Sequence, residues 1–381
     1  ALCWGMIHAE TFSSGSNGSF GAILVESGTF TIDLPPDGII HATSITVGKE
    51  GGFFATLKFK RNALNTPVYL LATGDITIKT NADIMVDGSP GDTVIGGEGG
   101  PGGFNGGEPG KLGGQPGAGF GPGAGLGGSN ASDDTRAGIG GYGTAGENAK
   151  DGQIYGSQLL MPMLGGSGGG GTDVGGGGGG GAILVASDTR IHLETAAIIS
   201  ANGGDMLSSF DRSGSGGAIR LIAPIVSGTG NLKVLPSVYS STSQPVPGAG
   251  RIRIDTIDQS EFNLKTFPID APVSLSNFMK VFPDTIPRLD IIEAAGEIIP
   301  EGNSSGVTIN LPSEASSTQS FTIQARDYSG ILPIQVVITP DIGDPIVVDT
   351  QIDMNTGNPA TTIVSVDLPQ NIPLHVNAWT R

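Results

Sequence analysis

Cysteine is almost missing from this sequence, and its scarcity limits how the chain can be stabilised. The 381 residues include a single cysteine, Cys3, so no disulfide bond can form within one chain. The simplest role for Cys3 is that of a small apolar residue in a terminal strand, and a bond between subunits is the alternative. Packing and hydrogen bonds must therefore hold the fold together.

Charged residues, aromatic residues and long apolar runs are scarce as well. Charged side chains make up 14% and aromatic side chains 6% of the chain, and both fractions are low for a globular enzyme. The net charge of −17 argues against nucleic acid and against an anionic membrane surface as partners. No apolar run approaches the roughly 20 residues of a membrane-spanning helix, so we predict no membrane span.

The first residue is Ala1, and no basic and apolar leader follows it. This is the pattern expected after a secretory signal has been removed behind a small residue. We therefore expect a secreted protein, located outside the cell or at its surface.

Glycine is what the sequence has in excess, with 65 residues, and proline follows with 25. Short runs rich in Val, Ile and Thr, without helical periodicity, predict an all-β protein. The phrase Gly-Ala-Ile-Leu-Val occurs at 21–25 and again at 181–185, and related runs begin at Gly217 and Gly250. A second strand-like run follows each of the first three copies, which indicates stacked supersecondary units.

These units predict a β-solenoid, or β-helix-like, domain over residues 21–258, preceded by an N-terminal extension over residues 1–20. An antiparallel barrel or sandwich is the alternative. A linker is expected at 259–289. Evenly spaced strands over 290–381 then predict an immunoglobulin-like β-sandwich, without the Cys–Trp–Cys core of antibody domains.

Residues 88–181 form a glycine-rich insertion whose composition alone would suit a flexible linker. Spaced proline and phenylalanine residues argue for order, as does the apolar island at 159–164, which is costly to leave in water. Ordered glycine needs hydrogen-bond partners for its amides. We therefore predict polyglycine II-like packing, in which extended three-fold helices lie side by side at a distance that only glycine allows.

Four phrases carry a resemblance to known sequences. They are Leu-Leu-Ala-Thr-Gly-Asp-Ile-Thr-Ile at 70–78, the glycine run at 165–171, and the strand openings at 216–223 and 250–254. In these the chain resembles a group of uncharacterised, secreted, glycine-rich bacterial surface proteins. The likeness covers about residues 20–255 and, more loosely, the C-terminal sandwich. It implies the architecture above and a bacterial cell surface, and it transfers no catalytic residue.

The residues that usually carry chemistry are scattered along the chain. Histidine occurs as His8, His41, His192 and His375, too far apart for a local metal-ligand spacing. Asp133–Asp134 and the turn at 341–344 could hold a structural calcium ion, although Asp and Gly more commonly just form turns. Arg251 and Arg253 alternate on one strand face and are expected to form a solvated or acid-paired row. We predict no enzyme, and no catalytic, cofactor-binding or metal site.

These features favour a secreted structural protein that assembles with itself, head to tail, into an extracellular filament, sheath or surface layer. Open strand edges must be covered or paired, and the apolar N-terminal stretch is a candidate donor strand for a neighbouring copy. The candidate assembly residues are Leu2, Cys3, Trp4, Met6 and Ile7. Two alternatives stay open: an adhesin or an ice- or glycan-binding surface protein, and a β-helix polysaccharide-active enzyme.

Overall fold

The fold is that of a computed structural model, which describes residues 12–110, 115–128, 136–205, 213–237, 246–301 and 307–380. Strands make up nearly all of the regular structure in these ranges, and the single helical element there is one 3-10 turn, Met354–Thr356. The predicted all-β character is confirmed. No helix in the described ranges is long and apolar enough to cross a membrane.

Twenty-two strands are described, numbered in chain order. Seven precede the glycine-rich segment: β1 (Gly21–Val25), β2 (Gly28–Asp33), β3 (Ile39–Val47), β4 (Ala55–Lys60), β5 (Val68–Ala72), β6 (Ile76–Ile78) and β7 (Ala82–Met85). Eight follow it: β8 (Ala182–Ser187), β9 (Arg190–Leu193), β10 (Ile198–Ser200), β11 (Ala218–Gly228), β12 (Asn231–Lys233), β13 (Arg251–Asp258), β14 (Lys265–Phe267) and β15 (Val273–Ser276). The last seven are β16 (Arg288–Ala294), β17 (Glu297–Ile298), β18 (Thr318–Arg326), β19 (Ile331–Pro340), β20 (Ile346–Asp353), β21 (Ala360–Asp367) and β22 (Leu374–Thr380).

The first fifteen strands form two parallel sheets. The larger sheet has the order β15-β13-β11-β8-β5-β3-β6-β9, with β1 paired to β3, and the second sheet has the order β14-β12-β10-β7-β4-β2. In the larger sheet β11 also pairs with β9. The hydrogen-bonded path β3-β5-β8-β11-β9-β6 therefore returns to β3, and these six parallel strands form a closed barrel.

Two long strands make the closure possible. β3 has 9 residues and β11 has 11. The first half of β3 pairs with β5 and its second half with β6, while the first half of β11 pairs with β8 and its second half with β9. Each long strand thus joins two sets of shorter strands into one ring.

The predicted β-solenoid is wrong. It assumed two separate short runs per unit, such as 218–222 and 225–226, but the backbone stays extended through Pro224 and both runs belong to β11. The antiparallel alternative is wrong as well, because every pairing among β1–β15 is parallel. The repeated phrases do lie side by side, since Ala182, Ala218 and Arg251 are in register.

Aliphatic side chains from both parallel sheets form the main core. In β6 the side chains of Ile76 and Ile78 are fully buried and Thr77 between them is partly exposed, as the alternation predicted. Leu57 and Ile84 from the second sheet are equally buried. Each such side chain contributes about 1.5–3 kcal/mol to folding through burial, so the interior is a major source of stability.

The glycine-rich segment leaves the barrel after β7 and returns as β8. Its described part contains no strand, yet its backbone groups are bonded to one another. The Gly176 amide donates to the Gly107 carbonyl (3.0 Å), the Gly107 amide donates to the Gly169 carbonyl (2.9 Å), and the Gly169 amide donates to the Gly177 carbonyl (3.0 Å). Runs that are distant in sequence therefore lie side by side.

This segment is also joined to the turns of the barrel, so the predicted polyglycine II-like insertion at 88–181 is corrected to a hydrogen-bonded body that extends beyond these residues. The Gly88 amide donates to the Asn202 carbonyl (2.8 Å), and the Gly180 amide donates to the Ser215 carbonyl (2.8 Å). Residues 200–204 lie at the end of β10, and residues 213–217 lie just before β11. They bond to the glycine-rich segment and form one hydrogen-bonded unit with it, because the glycines among them allow the same close approach. We call this unit, the described part of 88–181 together with 200–204 and 213–217, the glycine body.

The last seven strands form two small antiparallel sheets, β17-β16-β18-β21 and β20-β19-β22, around a shared core. The predicted immunoglobulin-like sandwich is corrected to these two sheets. The Phe104 ring of the glycine-rich segment packs edge-on against Trp379 with centroids 5.1 Å apart. Gly117 and Gly343 form an isolated bridge nearby, so the small sheets contact the glycine body.

Candidate assembly site

Both parallel sheets end in strands that have a partner on one flank. At one end β1 pairs with β3 and β2 pairs with β4. At the other end β15 pairs with β13 and β14 pairs with β12. Within the described residues no strand covers the opposite flanks of these four strands. An uncovered flank offers a row of N–H and C=O groups that can bond to another chain.

At the end formed by β1 and β2, part of β3 is paired on one flank only. On one flank, Ile39–Ala42 pair with β5. On the other flank, β1 reaches only residues 42–47. Ile39, Ile40 and His41 therefore have a strand on one side and, among the described residues, none on the other. In the part of the chain that the structure describes, the sheet has room for one more strand at this position, which we call the gap beside β3.

A groove of about 290 Å³ lies at the gap. Ile39 and Ile40 line it from β3, Phe20 lines it just before β1, and Ile32 and Pro35 line it from the end of β2. Ile32 and Ile40 are continuous with the main core. The groove therefore leads from solvent to the apolar interior between the sheets.

Large apolar side chains are exposed near this end of the molecule. They follow the first two strands and the start of β4: Phe20, Leu24, Phe30, Phe53 and Phe54. Phe54 is 79% and Leu24 is 63% exposed, although the contact of such apolar side chains with water is unfavourable. Exposed apolar side chains gathered at one end of the sheets provide surface that a contact with another chain can bury.

The polar groups of the groove are few and bonded locally. The Phe20 amide donates to the His41 carbonyl (2.8 Å), and the Ile39 amide donates to the Asp37 carboxylate (3.0 Å). Asp33 forms an exposed ion pair with Lys60 at 3.6 Å, and such pairs contribute little. An apolar segment can therefore enter the groove without burying an unpaired charge.

The chain before β1 runs along the ends of successive strands. The Ser14 amide donates to the Asp188 carboxylate after β8 (2.6 Å), and the Ser14 hydroxyl donates to the Ala72 carbonyl at the end of β5 (2.9 Å). The Ser16 hydroxyl donates to the Ala42 carbonyl in β3 (2.8 Å). Residues 14–20 thus step from the middle of the barrel toward the gap.

The candidate assembly residues from sequence, Leu2, Cys3, Trp4, Met6 and Ile7, lie outside the described residues and stay predictions. The sequence pattern did not predict the groove beside β3 that could receive them. One signal pointed to it: the run Ile39–Val47 has nine residues, whereas the repeated phrase at 21–25 has five. Part of β3 therefore had no counterpart in the first unit.

A second concave region lies between the glycine body and the small antiparallel sheets. This cleft of about 690 Å³ is lined by acids, bases, amides and aromatic rings, among them Arg61, Asn105, Glu108, Phe120 and His375. The Arg61 guanidinium donates to Asn105 Oδ1 (2.6 Å), and burial lowers the pKa of Arg61, partly opposed by Glu98. Its mixed polar lining suits a polar ligand.

A buried ionic cluster occupies the outer face of the barrel. Arg220 Nη2 lies 2.9 Å and Arg253 Nη2 lies 2.7 Å from the carboxylate of Asp255, and the Arg220 and Asp255 side chains are fully buried. The Lys280 carbonyl accepts a further bond from Arg220 (2.9 Å). The acid-paired row is therefore confirmed for Arg253. These contacts fasten the chain after β15 to the barrel, which is a structural role.

Arg251 behaves differently from Arg253. Its guanidinium lies over the Tyr142 ring at 5.4 Å and donates to the Tyr155 carbonyl (3.0 Å). An arginine on an aromatic face gains a cation–π contact. Arg251 thus links β13 to the glycine-rich segment.

The described residues do not bring the predicted calcium positions and the histidines together into one metal-binding cluster. Asp133–Asp134 lie outside the described residues, and Asp341 is 3.8 Å from His375. Nδ1 of His192 is hydrogen-bonded to the Ser227 hydroxyl (2.9 Å). Burial lowers the pKa of His192, and the nearby positive charge of Arg190 lowers it further. In the ranges that the structure describes, no group of three or more His, Cys, Asp or Glu side chains could hold a metal ion.

Comparison with protein-family models, with curated proteins and with solved structures finds no match for this chain. Function is therefore inferred from the geometry of the two concave regions and the open sheet ends.

Proposed function

We propose that the protein is a structural subunit of an extracellular homopolymer, a filament, sheath or surface layer, whose copies join through the ends of their parallel sheets. The observation that carries the proposal is the pair of sheet ends, β1 with β2 and β14 with β15, whose outer flanks no strand covers within the described ranges. The two ends are different surfaces, so a contact between them is heterologous. A heterologous contact that does not close into a ring produces an open filament.

The construction of the body supports this role. A closed barrel and a glycine body bonded through its amides resist bending, because few groups are free to move independently. The exposed apolar side chains at the β1 end, including Leu24 and Phe30, provide area to bury in a contact. The net charge of −17 opposes association of copies, so added salt should promote it by screening.

The test uses the whole chain with single lysine substitutions at exposed positions. A lysine on an edge strand disfavours pairing with another chain. We expect Leu24→Lys to raise the concentration needed for polymers by about tenfold or more, which corresponds to about 1.4 kcal/mol per contact. Ile363→Lys in β21, a site 68% exposed on the small sheets, is the matched control and should polymerise like the unaltered chain.

Polymers are measured by negative-stain microscopy and by sedimentation across a range of salt concentrations. An unaltered chain that stays monomeric throughout would contradict the proposal. Equal losses for Leu24→Lys and Ile363→Lys would contradict the placement of the contact at the β1 end.

The cleft carries a second candidate function, a glycan-binding surface protein. Polar side chains such as Arg61 and Asn105 can bond to sugar hydroxyls, and the Phe120 ring offers an apolar surface, a composition common in ligand sites. Binding of a glycan by monomers, weakened by Arg61→Ala, would favour this candidate. The polysaccharide-active enzyme depended on a β-helix fold, which the structure corrects.

A further inference from the structure

We infer that residues 1–11 of one copy enter the groove beside β3 of the next copy and complete its sheet as an added strand. The inference rests on the proposed function and names its contact. The receiving surface is the flank of Ile39–His41 that no described strand covers, together with its groove. On this flank the His41 carbonyl already accepts from the Phe20 amide, and the Ile39 amide donates to Asp37, so an added strand would bond to the remaining Ile39 carbonyl and His41 amide. The occupant is a second copy of this chain, through its N-terminal segment.

The position and direction of the described chain argue for a second copy as the source. Ser14 is held at β8 and β5, and the chain proceeds from there to β1. From Ser16 back to Ser14, the chain therefore moves from β3 to β5 and β8, away from its own groove. Phe12 packs against the apolar cluster on the outer face of the barrel, which includes Ala186 and Ile222.

The length of the remaining segment is sufficient to bridge two copies. From β8 the sheet continues through β11 and β13 to β15, three strand spacings or roughly 15 Å. Eleven extended residues span roughly 36 Å. The segment can therefore extend past β15 by roughly 20 Å, where the β1 end of a following copy would lie in a head-to-tail polymer.

The composition of the segment fits the groove. Residues 1–7 read Ala-Leu-Cys-Trp-Gly-Met-Ile and contain no charged side chain, so entering an apolar groove buries no side-chain charge. Alternate residues of a strand share one face. In an added strand Leu2, Trp4 and Met6 would therefore turn together toward the interior that Ile32 and Ile40 now border.

The single native cysteine provides the test. Cys3 is the sole thiol in the chain, and Ser19 and Asp33 are exposed residues that line the groove. We expect Ser19→Cys or Asp33→Cys, in polymers of the full chain under mild oxidation, to give a ladder of disulfide-linked dimers and larger species. Thr195→Cys, exposed but distant from the groove, is the matched control and should give at least about tenfold less.

The outcomes separate the inference from the proposed function. A ladder that disappears with Cys3→Ser supports the inference. Polymers without a ladder from either groove cysteine would overturn it and leave the proposed function intact. A disulfide within each monomer would show that the segment fills its own groove, which also overturns it. Absence of polymers under all conditions would reject both proposals.

Deletion of residues 1–11 gives a second readout. The truncated chain should keep the circular dichroism spectrum and thermal unfolding of the monomer, because residues 12–20 retain their bonds to the barrel. We expect its polymer yield to fall by about tenfold or more. Polymers formed at an unchanged concentration would contradict the inference, whatever the cross-linking shows.

Discussion

Burial sets the behaviour of several ionisable residues on the barrel wall. Arg220 and Arg253 share the carboxylate of Asp255, and the Phe278 ring lies over both guanidinium groups at 5.8 and 5.7 Å. Burial lowers the pKa of Arg220, and Asp255 opposes the shift. Such a cluster is not a strong source of stability, but loss of one partner leaves a charge unpaired in the interior. These residues therefore fix the positions of β11, β13 and the chain after β15 relative to one another.

Tyr69 in β5 allows a test of this burial by pH. Burial raises the pKa of Tyr69 to about 12, with Arg220 acting in the opposite direction. The raised pKa means that folding favours the neutral phenol. Stability from this group is complete below about pH 10 and is lost as the pH rises through 12. We expect a loss of about 2–3 kcal/mol in unfolding free energy across this window.

Urea unfolding of the unaltered chain and of Tyr69→Phe between about pH 9 and 12 measures this contribution, since the phenylalanine variant cannot ionise there. Other tyrosines, such as Tyr142, also have pKa values raised by burial, so the difference between the two proteins is the informative quantity. Parallel pH curves would show that Tyr69 is as accessible in the folded state as in the unfolded state.

At the scale of elements, the glycine-rich segment is held by backbone contacts. A Cβ placed on Gly168 would lie 1.9 Å from the Asn105 carbonyl oxygen. The Gly168 amide is itself bonded to the Phe120 carbonyl (2.9 Å), so neither run can shift without breaking hydrogen bonds. The absence of a side chain is therefore the condition for this packing.

We expect Gly168→Ala to destabilise the protein by about 3 kcal/mol or more, because the added methyl group overlaps rigid backbone. Gly28→Ala is the matched control: Gly28 has φ +71° and open space around the added carbon, so its cost is limited to about 1–2 kcal/mol of backbone strain. Thermal and urea unfolding compare the two variants. An equal effect of both substitutions would mean that the segment is loosely packed.

At the scale of the whole molecule, the two small antiparallel sheets have a core of their own. Phe321, Ile323 and Val336 belong to it, and none of the barrel residues does. Their contacts with the glycine body include the Phe104–Trp379 pair and the Gly117–Gly343 bridge. A unit with its own core can fold independently of its neighbour.

We expect a fragment of residues 288–381 to fold alone and to unfold cooperatively on heating. Trp379 is its sole tryptophan, whereas the full chain also contains Trp4. Its fluorescence should differ from that of the full chain carrying Trp4→Phe, because the contact with Phe104 is lost. Circular dichroism and fluorescence are the measurements. A fragment without cooperative unfolding would show that the junction with the glycine body is part of the core.

Local pattern was a reliable guide for single strands. The runs at 68–72 and 76–78 match β5 and β6, since a buried strand needs consecutive or alternating apolar residues and turn residues at its ends. Residues 259–289, expected to be a linker, instead contain β14 and β15. Those short runs carry a weak pattern of their own, and they become strands because β12 and β13 offer free edges to bond with.

The sequence by itself determined that this protein consists of β-strands and a glycine-rich segment. Strand alternation and glycine content can be recognised from residues that are close together in the chain. Only the tertiary structure decided that six parallel strands close into a barrel, that Arg220 and Arg253 are buried around Asp255, and that no described strand lies on the second flank of Ile39. The reason is physical: strand partners, charge burial and empty flanks depend on residues far apart in sequence, whose pairing no local pattern specifies.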